Sequence, residues 1–139
     1  MDPPGPVEIV LDASGSMRGR IGDTDKMTVA KRFLLGLRER LADGGPTPSL
    51  GLRVYGAGSH RLRRDCNDTR LLTRPGEPPE ALDADLESVS PLGVSPLARS
   101  LRMAADDPAG VFVLIADGGD NCAEDPCRVW RETIARSEG

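Results

Sequence analysis

The sequence predicts an α/β domain built on a mostly parallel, Rossmann-like sheet that is flanked by helices. Two short and nearly continuous apolar runs, Val7–Leu11 and Val111–Ala116, are typical of strands buried on both faces. Segments with helical spacing of their apolar residues alternate with strand-like segments along the rest of the chain. Strands that alternate with helices favour parallel pairing, with helices covering both faces of the sheet.

The first half of the chain predicts a strand, a loop, a helix and a second strand. The polar, Gly-rich residues 15–25 follow Val7–Leu11 and predict a loop. One helix is expected over Lys26–Leu41, and a strand over Leu50–Tyr55 because apolar residues alternate there. The apolar residues that we expect on the buried face of the helix are Ala30, Phe33, Leu34, Leu37 and Leu41.

The second half predicts a weak strand, two helices, the second apolar strand and a last helix. Before the second of the two helices, Ser95 is expected as the N-cap and Pro96 at the first helical position. The last helix is expected to start at Asp125–Pro126 and to bury Trp130 and Ile134. The remaining segments are a polar loop over residues 56–68, the weak strand Thr69–Thr73 and a helix over Pro79–Val89.

Length and composition indicate one soluble domain. The 139 residues are enough for a single core, and 38% hydrophobic with 29% charged residues is an ordinary globular balance. The net charge of −4 argues mildly against nucleic acid as the main partner, although Arg61, Arg63 and Arg64 could form a local basic patch. No apolar run approaches the roughly 18 to 20 residues that a membrane span needs. Residues 1–6 lack the features of a signal peptide and are expected to be a linker or a cloning boundary, which leaves 7–139 as the domain.

Oxygen-bearing side chains cluster at the predicted ends of the strands. Asp12, Ser14 and Ser16 directly follow the first strand, Ser95 precedes a helix, and Asp117 follows the strand Val111–Ala116. In open α/β sheets, ligands bind beyond the carboxyl ends of the strands. A set of two acids and three hydroxyls suits Mg²⁺, or Mn²⁺ or Ca²⁺, better than zinc. The sequence therefore predicts a divalent-metal site at one edge of the sheet.

The same segments resemble the von Willebrand factor A-type domain of bacterial proteins, and the predicted site is similar to its metal-ion-dependent adhesion site. The resemblance rests on Asp-x-Ser-x-Ser at Asp12–Ser16 after an apolar strand, and on a later apolar strand that ends in Asp117-Gly118. Further similar stretches occur in the same order: Gly51–Gly56, Cys66–Thr69, Ser95–Ala98 and Asn121–Cys127.

The resemblance implies a role for each site residue. Ser14 and Ser16 would bind the metal directly, and Asp12 and Asp117 would act through water or by holding the hydroxyls. Ser95 stands where the family usually has a threonine and would supply the third hydroxyl. The resemblance thus implies a binding module and not an enzyme: a protein partner would offer an Asp or Glu carboxylate to a bound Mg²⁺.

The family domain normally continues beyond the last helix with further strands and helices, so that this chain, ending at Gly139, is expected to be C-terminally shortened. The strand Val111–Ala116 would then lie at or near an edge of the sheet with unpaired main-chain groups. A truncated domain, a minimal variant and a sheet completed by another chain all remain open.

Three cysteines allow more than one pairing. Cys122 and Cys127 are close enough in sequence to form a disulfide, which would favour an extracytoplasmic or cell-surface location. Cys66 could instead pair with either of them. A zinc site that uses His60 as the fourth ligand is disfavoured, because structural zinc sites usually have closer cysteine pairs.

The alternative function is an Mg²⁺-dependent phosphoryl-transfer hydrolase resembling the haloacid dehalogenase type, with Asp12 as the nucleophile. That family places a second Asp two residues after the nucleophile, where this chain has Ser14. A motif carries weight only in its required context, so that the binding module is the preferred interpretation.

Overall fold

A computed structural model of the chain describes residues 5–45 and 47–138, apart from the side chains of Ile134 and residues 136–138. Residues 1–4 of the expected linker lie outside the described residues, and so does the predicted burial of Ile134. Within the described ranges, no helix is long and apolar enough to cross a membrane.

The observed elements follow the predicted order and add short pieces within the loops. The strands are β1 (Val7–Asp12), β2 (Arg20–Ile21), β3 (Thr24–Asp25), β4 (Leu50–Tyr55), β5 (Thr69–Thr73) and β6 (Val111–Ile115). The α-helices are α1 (Lys26–Asp43), α2 (Pro79–Ser88), α3 (Leu97–Ala104) and α4 (Pro126–Glu138). Gly15–Arg18 and Arg61–Arg63 form single 3₁₀ turns inside segments that were predicted to be loops.

The main sheet has four strands in the order β5-β4-β1-β6. Strand β1 pairs in parallel with β4 and with β6, whereas β5 is antiparallel to β4. The mostly parallel sheet predicted from sequence is therefore confirmed. One face packs against α1 and α2, through Ile9 and Leu11 of β1, and the other face packs against α3 and α4, through Val10.

Helix α1 begins with a capped turn and buries a narrower face than the sequence predicted. Asp25 is the N-cap, and its carboxylate accepts hydrogen bonds from the Thr28 N–H (2.9 Å) and hydroxyl (2.8 Å). Ala30 and Leu34 are buried as expected, but Phe33 is 54% exposed, so its predicted burial is wrong. Phe33 precedes Leu34 by one residue, about 100° around the helix, and only the face that carries Leu34 meets the sheet.

Strand β6 lies at an edge of the sheet, as predicted for the segment Val111–Ala116. Val111 and Leu114 are 54% and 43% exposed, so the burial on both faces expected for this apolar run is wrong. Beside β6, on the face covered by α3 and α4, lies an apolar cavity of about 540 Å³. Its lining includes Val10, Leu97, Leu101, Phe112, Leu114 and Trp130. Apolar surface and unpaired main-chain groups therefore occur together at this edge.

Candidate metal centre

The carboxyl ends of β1, β4 and β6 meet at the edge of the sheet where the metal site was predicted. Asp12 is the last residue of β1 and lies opposite Tyr55, the last residue of β4. Asp117 follows the end of β6 by two residues. The parallel pairing of these strands thus places residues that are far apart in sequence at one point.

Asp12 is fully buried at the base of the site. One carboxylate oxygen, Oδ1, accepts the Ser14 N–H at 2.8 Å, while Oδ2 has no hydrogen-bond partner among the described residues. Burial raises the pKa of Asp12, and the hydrogen bonds from Ser14 oppose that rise. Because an unsatisfied buried oxygen is costly, Oδ2 is a position that suits a cation or a hydrogen-bond donor.

A chain of hydroxyls connects Asp12's loop to Asp117. Ser14 Oγ lies 3.0 Å from Ser16 Oγ, and Ser16 Oγ donates to Asp117 Oδ1 at 3.1 Å. The Lys26 ammonium donates to Asp117 Oδ2 at 2.9 Å. Burial raises the pKa of Asp117, but the hydrogen bonds from Lys26 and Ser16 outweigh it and the net pKa is lowered. Asp117 is therefore an ionised acid at neutral pH.

Ser95 joins the site from the loop before α3, but it does not cap that helix. Its hydroxyl donates to the Gly119 carbonyl oxygen at 3.0 Å, and its N–H donates to Asn121 Oδ1 at 2.8 Å. The predicted N-cap role of Ser95 is wrong, because Asp120 from the loop after β6 accepts the Ala98 N–H at 2.8 Å. Since its only proton goes to a carbonyl, the Ser95 hydroxyl keeps its lone pairs for a cation.

Close backbone contacts hold the loops that carry these side chains. The Gly15 N–H donates to the Gly93 carbonyl at 2.9 Å, and the Gly93 N–H donates to the Gly56 carbonyl at 2.7 Å. Gly56 has φ +79°, and a β-carbon there would lie 2.6 Å from the Val94 carbonyl oxygen. Only glycine fits this position without displacing the loop.

Four of the five predicted ligands line one cavity of about 460 Å³, and Asp12 lies buried beneath it. Sequence reasoning missed three other members of its wall, Lys26, Arg61 and Asn121. It also missed the Tyr55 hydroxyl, which is buried and has no hydrogen-bond partner among the described residues. Burial, and then the charge of Asp12, raise the pKa of Tyr55 far above its ordinary value. The one available signal for Tyr55 was its place at the end of a strand, equivalent to that of Asp12.

The cysteine pairing differs from the prediction. Cys66 and Cys122 form a disulfide with their Cα atoms 5.7 Å apart, and Cys127 is an exposed free cysteine. The predicted Cys122–Cys127 bridge is therefore wrong, and the alternative in which Cys66 pairs with Cys122 is the one observed. Cys127 lies in the first turn of α4, where its N–H donates to Asp125. The fold brings the loop of Cys66 to Cys122, a contact between residues 56 positions apart that spacing alone does not reveal.

The residues present fit a hard divalent cation. The donors are hydroxyl and carboxylate oxygens, and the unpartnered Asp12 Oδ2 lies beneath them. No three His, Cys, Asp or Glu side chains come together as a metal cluster in the described ranges. A cation here would depend on the hydroxyls of Ser14, Ser16 and Ser95, which would hold it, while Asp12 and Asp117 would orient them and balance the charge.

The class of protein is defined by a mostly parallel α/β sheet that gathers hydroxyl and carboxylate side chains at its carboxyl edge. In fold, the chain is a von Willebrand factor A-type domain, and the resemblance seen in the sequence is confirmed at this level. No protein-family model matches the chain.

Comparison with known proteins supports this fold assignment. The chain is similar to an uncharacterised Bacillus subtilis protein, YwmD, with 32% identity over 133 residues; the match covers 86% of this chain and 58% of that protein.

Among solved structures, proximal thread matrix protein 1 of the mussel byssus matches with a TM-score of 0.70 and 14% identity, over 97% of this chain and 36% of its own. A second structure of that mussel protein has a zinc-occupied MIDAS motif and matches with a TM-score of 0.66 and 13% identity, over the same shares of the two chains. The von Willebrand factor domain of Mfa5, a type V pili tip protein from Porphyromonas gingivalis, matches with a TM-score of 0.53 and 20% identity, over 84% of this chain and 39% of its own.

Proposed function

We propose that this chain is a metal-dependent protein-binding module for adhesion or assembly. In this proposal Ser14, Ser16 and Ser95 hold a divalent cation, Mg²⁺ or else Mn²⁺ or Ca²⁺, and a partner protein supplies an Asp or Glu carboxylate. The observation that carries the proposal is the buried, unpartnered Asp12 Oδ2 beneath a cavity that these hydroxyls line.

The donor set explains why such a site would capture an acid. Hydroxyl ligands are neutral, so a cation that they hold keeps most of its charge, and Mg²⁺ usually retains exchangeable waters. An incoming carboxylate can replace one of these waters. Without the cation, the carboxylates of Asp12 and Asp117 repel each other, and the Lys26 ammonium bound to Asp117 offsets part of this repulsion. Metal binding is therefore expected to stabilise the fold.

Binding without a reaction is favoured by the burial of Asp12. A nucleophile must reach its substrate, whereas the Asp12 side chain is 0% exposed and one of its oxygens already binds the Ser14 N–H. The similar structures come from a thread matrix protein and a pili tip protein. With the Cys66–Cys122 disulfide, which is stable in oxidising compartments, they favour a location outside the cytoplasm.

Thermal unfolding with and without metal tests the proposal. Millimolar Mg²⁺ or Mn²⁺ should raise the Tm, because a ligand at about 100 times its Kd adds roughly 3 kcal/mol. Asp117→Ala should abolish this shift, and Asp43→Ala, at the far end of α1, should retain it. Zn²⁺ belongs in the series, since it occupies the motif of the mussel protein. The absence of any shift would contradict the metal site, and phosphate-ester hydrolysis that Asp12→Asn abolishes would favour the enzyme.

A further inference from the structure

One basic side chain in the wall of the cavity at the proposed metal site has no acidic partner among the described residues. Lys26 is bound to Asp117, but Arg61 makes no salt bridge within the part of the chain that the structure describes. Its side chain extends past Gly15, where an added β-carbon would lie 3.8 Å from Arg61 Cδ. A free guanidinium therefore stands beside the place where the proposed function puts a carboxylate.

Arg61 belongs to an exposed and strongly basic turn, His60–Arg64. Arg63 and Arg64 are also exposed and also make no salt bridge among the described residues. Leu62, next to Arg61, is 82% exposed, more than any other large hydrophobic side chain that the structure describes. The chain as a whole has a net charge of −4, so this turn is a basic patch on an acidic protein.

The turn is held in one conformation although its side chains point to solvent. The Arg61 N–H donates to the Leu92 carbonyl at 3.1 Å, and the Leu62 N–H donates to His60 Nδ1 at 3.2 Å. Arg64 closes the turn in the left-handed region, with φ 50°. Asp68 holds the preceding segment by accepting the N–H groups of Gly58 and Ser59, and the Cys66–Cys122 disulfide fixes the segment that follows. A rigid turn loses little entropy when its exposed side chains bind a partner.

We propose that His60–Arg64 is a docking surface for an acidic protein segment that also places a carboxylate on the metal. This inference rests on the proposed function and adds the class of partner. Arg61 binds a second carboxylate beside the metal, since its planar fork matches a carboxylate with two parallel hydrogen bonds. Arg63 attracts further acidic residues, and Leu62 contacts an apolar side chain between them. A nucleic acid fits less well, because the turn has no Phe, Tyr or Trp on which bases could stack.

The test uses two fluorescent peptides of equal length in a Gly–Ser background, one with a single glutamate and one with three glutamates and a leucine. Fluorescence anisotropy in Mg²⁺, with EDTA as the metal-free control, should show that the wild type binds the three-glutamate peptide about tenfold more tightly than the single-glutamate peptide. The double variant Arg61→Gln/Arg63→Gln should lose most of this preference and keep its metal-induced Tm shift. Added salt should weaken binding of the acidic peptide more than that of the other.

The matched control is Arg40→Gln/Arg74→Gln, which removes two exposed arginines far from the cavity. Arg40 lies in the last turn of α1, and Arg74 directly follows β5. This control should bind both peptides as the wild type does. Equal affinity of the wild type for the two peptides, or an equal loss in the control, would overturn the docking surface and leave the metal site standing. If the wild type bound a single-stranded oligonucleotide more tightly than either peptide, and Arg61→Gln/Arg63→Gln abolished that binding, the turn would be assigned to nucleic acid instead. The absence of a metal-induced shift in the wild type would overturn the proposed function itself.

Discussion

Glu8 is a buried acid whose pKa differs strongly from the ordinary value of a glutamate. It is the exception in the apolar run of β1 and is 0% exposed. Among the described residues it forms one salt bridge, to Arg53 at 3.8 Å, but the Arg53 guanidinium donates to Asp107 at 2.8 and 3.0 Å. Burial, and then the Asp107 carboxylate, raise the pKa of Glu8 to about 8, against the smaller effect of Arg53.

The raised pKa predicts a pH-dependent stability. Between about pH 4.5 and pH 8 the folded protein binds a proton at Glu8 that the unfolded chain releases, so that stability falls as the pH rises through this window. The slope attributable to Glu8 is at most about 1.4 kcal/mol per pH unit. In urea unfolding at pH 6 and pH 8, Glu8→Gln should lose less stability between the two values than the wild type. The exposed Glu39→Gln should behave as the wild type; an unchanged slope in Glu8→Gln would contradict the prediction.

The sequence predicted which side chains come together at the carboxyl edge of the sheet, because ligands in α/β sheets bind beyond the carboxyl ends of the strands. Asp12 and Asp117 follow the two most apolar strands, so their convergence could be inferred from parallel pairing alone. Lys26 and Arg61 could not be found in this way, since neither the start of a helix nor a polar loop shows in its sequence where a long basic side chain places its charged end. The Ser95 cap was mispredicted for a similar reason: the local Ser-Pro pattern was genuine, but Asp120 reaches the same helix from another loop.

At the scale of elements, the longer segments were predicted closely and the two-residue strands were not. Leu50–Tyr55 and Thr69–Thr73 match β4 and β5 residue for residue. The hairpin of β2 and β3 lies within the predicted loop 15–25, because two residues cannot show a period of alternation. The sequence of β5 also did not indicate that this strand runs antiparallel to β4.

The disulfide joins two of these elements, the loop before β5 and the loop after β6 that supplies Asp117 and Asn121. Replacing Cys66 and Cys122 by serine should cost up to about 4 kcal/mol, the chain-entropy value for a closed loop of this length. It should also reduce the metal-induced rise in Tm, because the loop carrying Asp117 loses its anchor. Thermal unfolding without reductant measures both effects.

Cys127→Ser is the matched control for the disulfide, and it should change neither the Tm nor the metal response. Thiol titration of the native wild type should find one reactive cysteine per chain. A large loss of stability in Cys127→Ser, together with none in the double variant, would show that a different pair is bridged.

At the scale of the whole molecule, the open edge of β6 is the feature that we expect to govern association between chains. Exposed Val111 and Leu114, the neighbouring apolar cavity and exposed Phe33 on α1 leave apolar surface around a strand that pairs with β1 on one side only. We expect this chain to self-associate as its concentration rises. In sedimentation velocity, Leu114→Lys should shift the distribution toward the monomer, because a charge at the edge opposes pairing.

Leu62→Ser serves as the control for this prediction, since it removes an even more exposed leucine from a different surface. It should associate as the wild type does. A wild type that remains monomeric at high concentration, or an equal effect of both substitutions, would show that the β6 edge does not direct association.

The position of Asp117 gives that edge a consequence for binding. Asp117 comes two residues after Ile115, so the strand at the open edge and this acid of the proposed cation site belong to one continuous piece of backbone. A strand that pairs with β6 and fixes its end would also fix Asp117. By thermodynamic linkage, the factor by which such pairing tightens the hold on the cation equals the factor by which the cation tightens the pairing. Measuring either affinity in the presence of the other ligand therefore measures both halves of the same coupling.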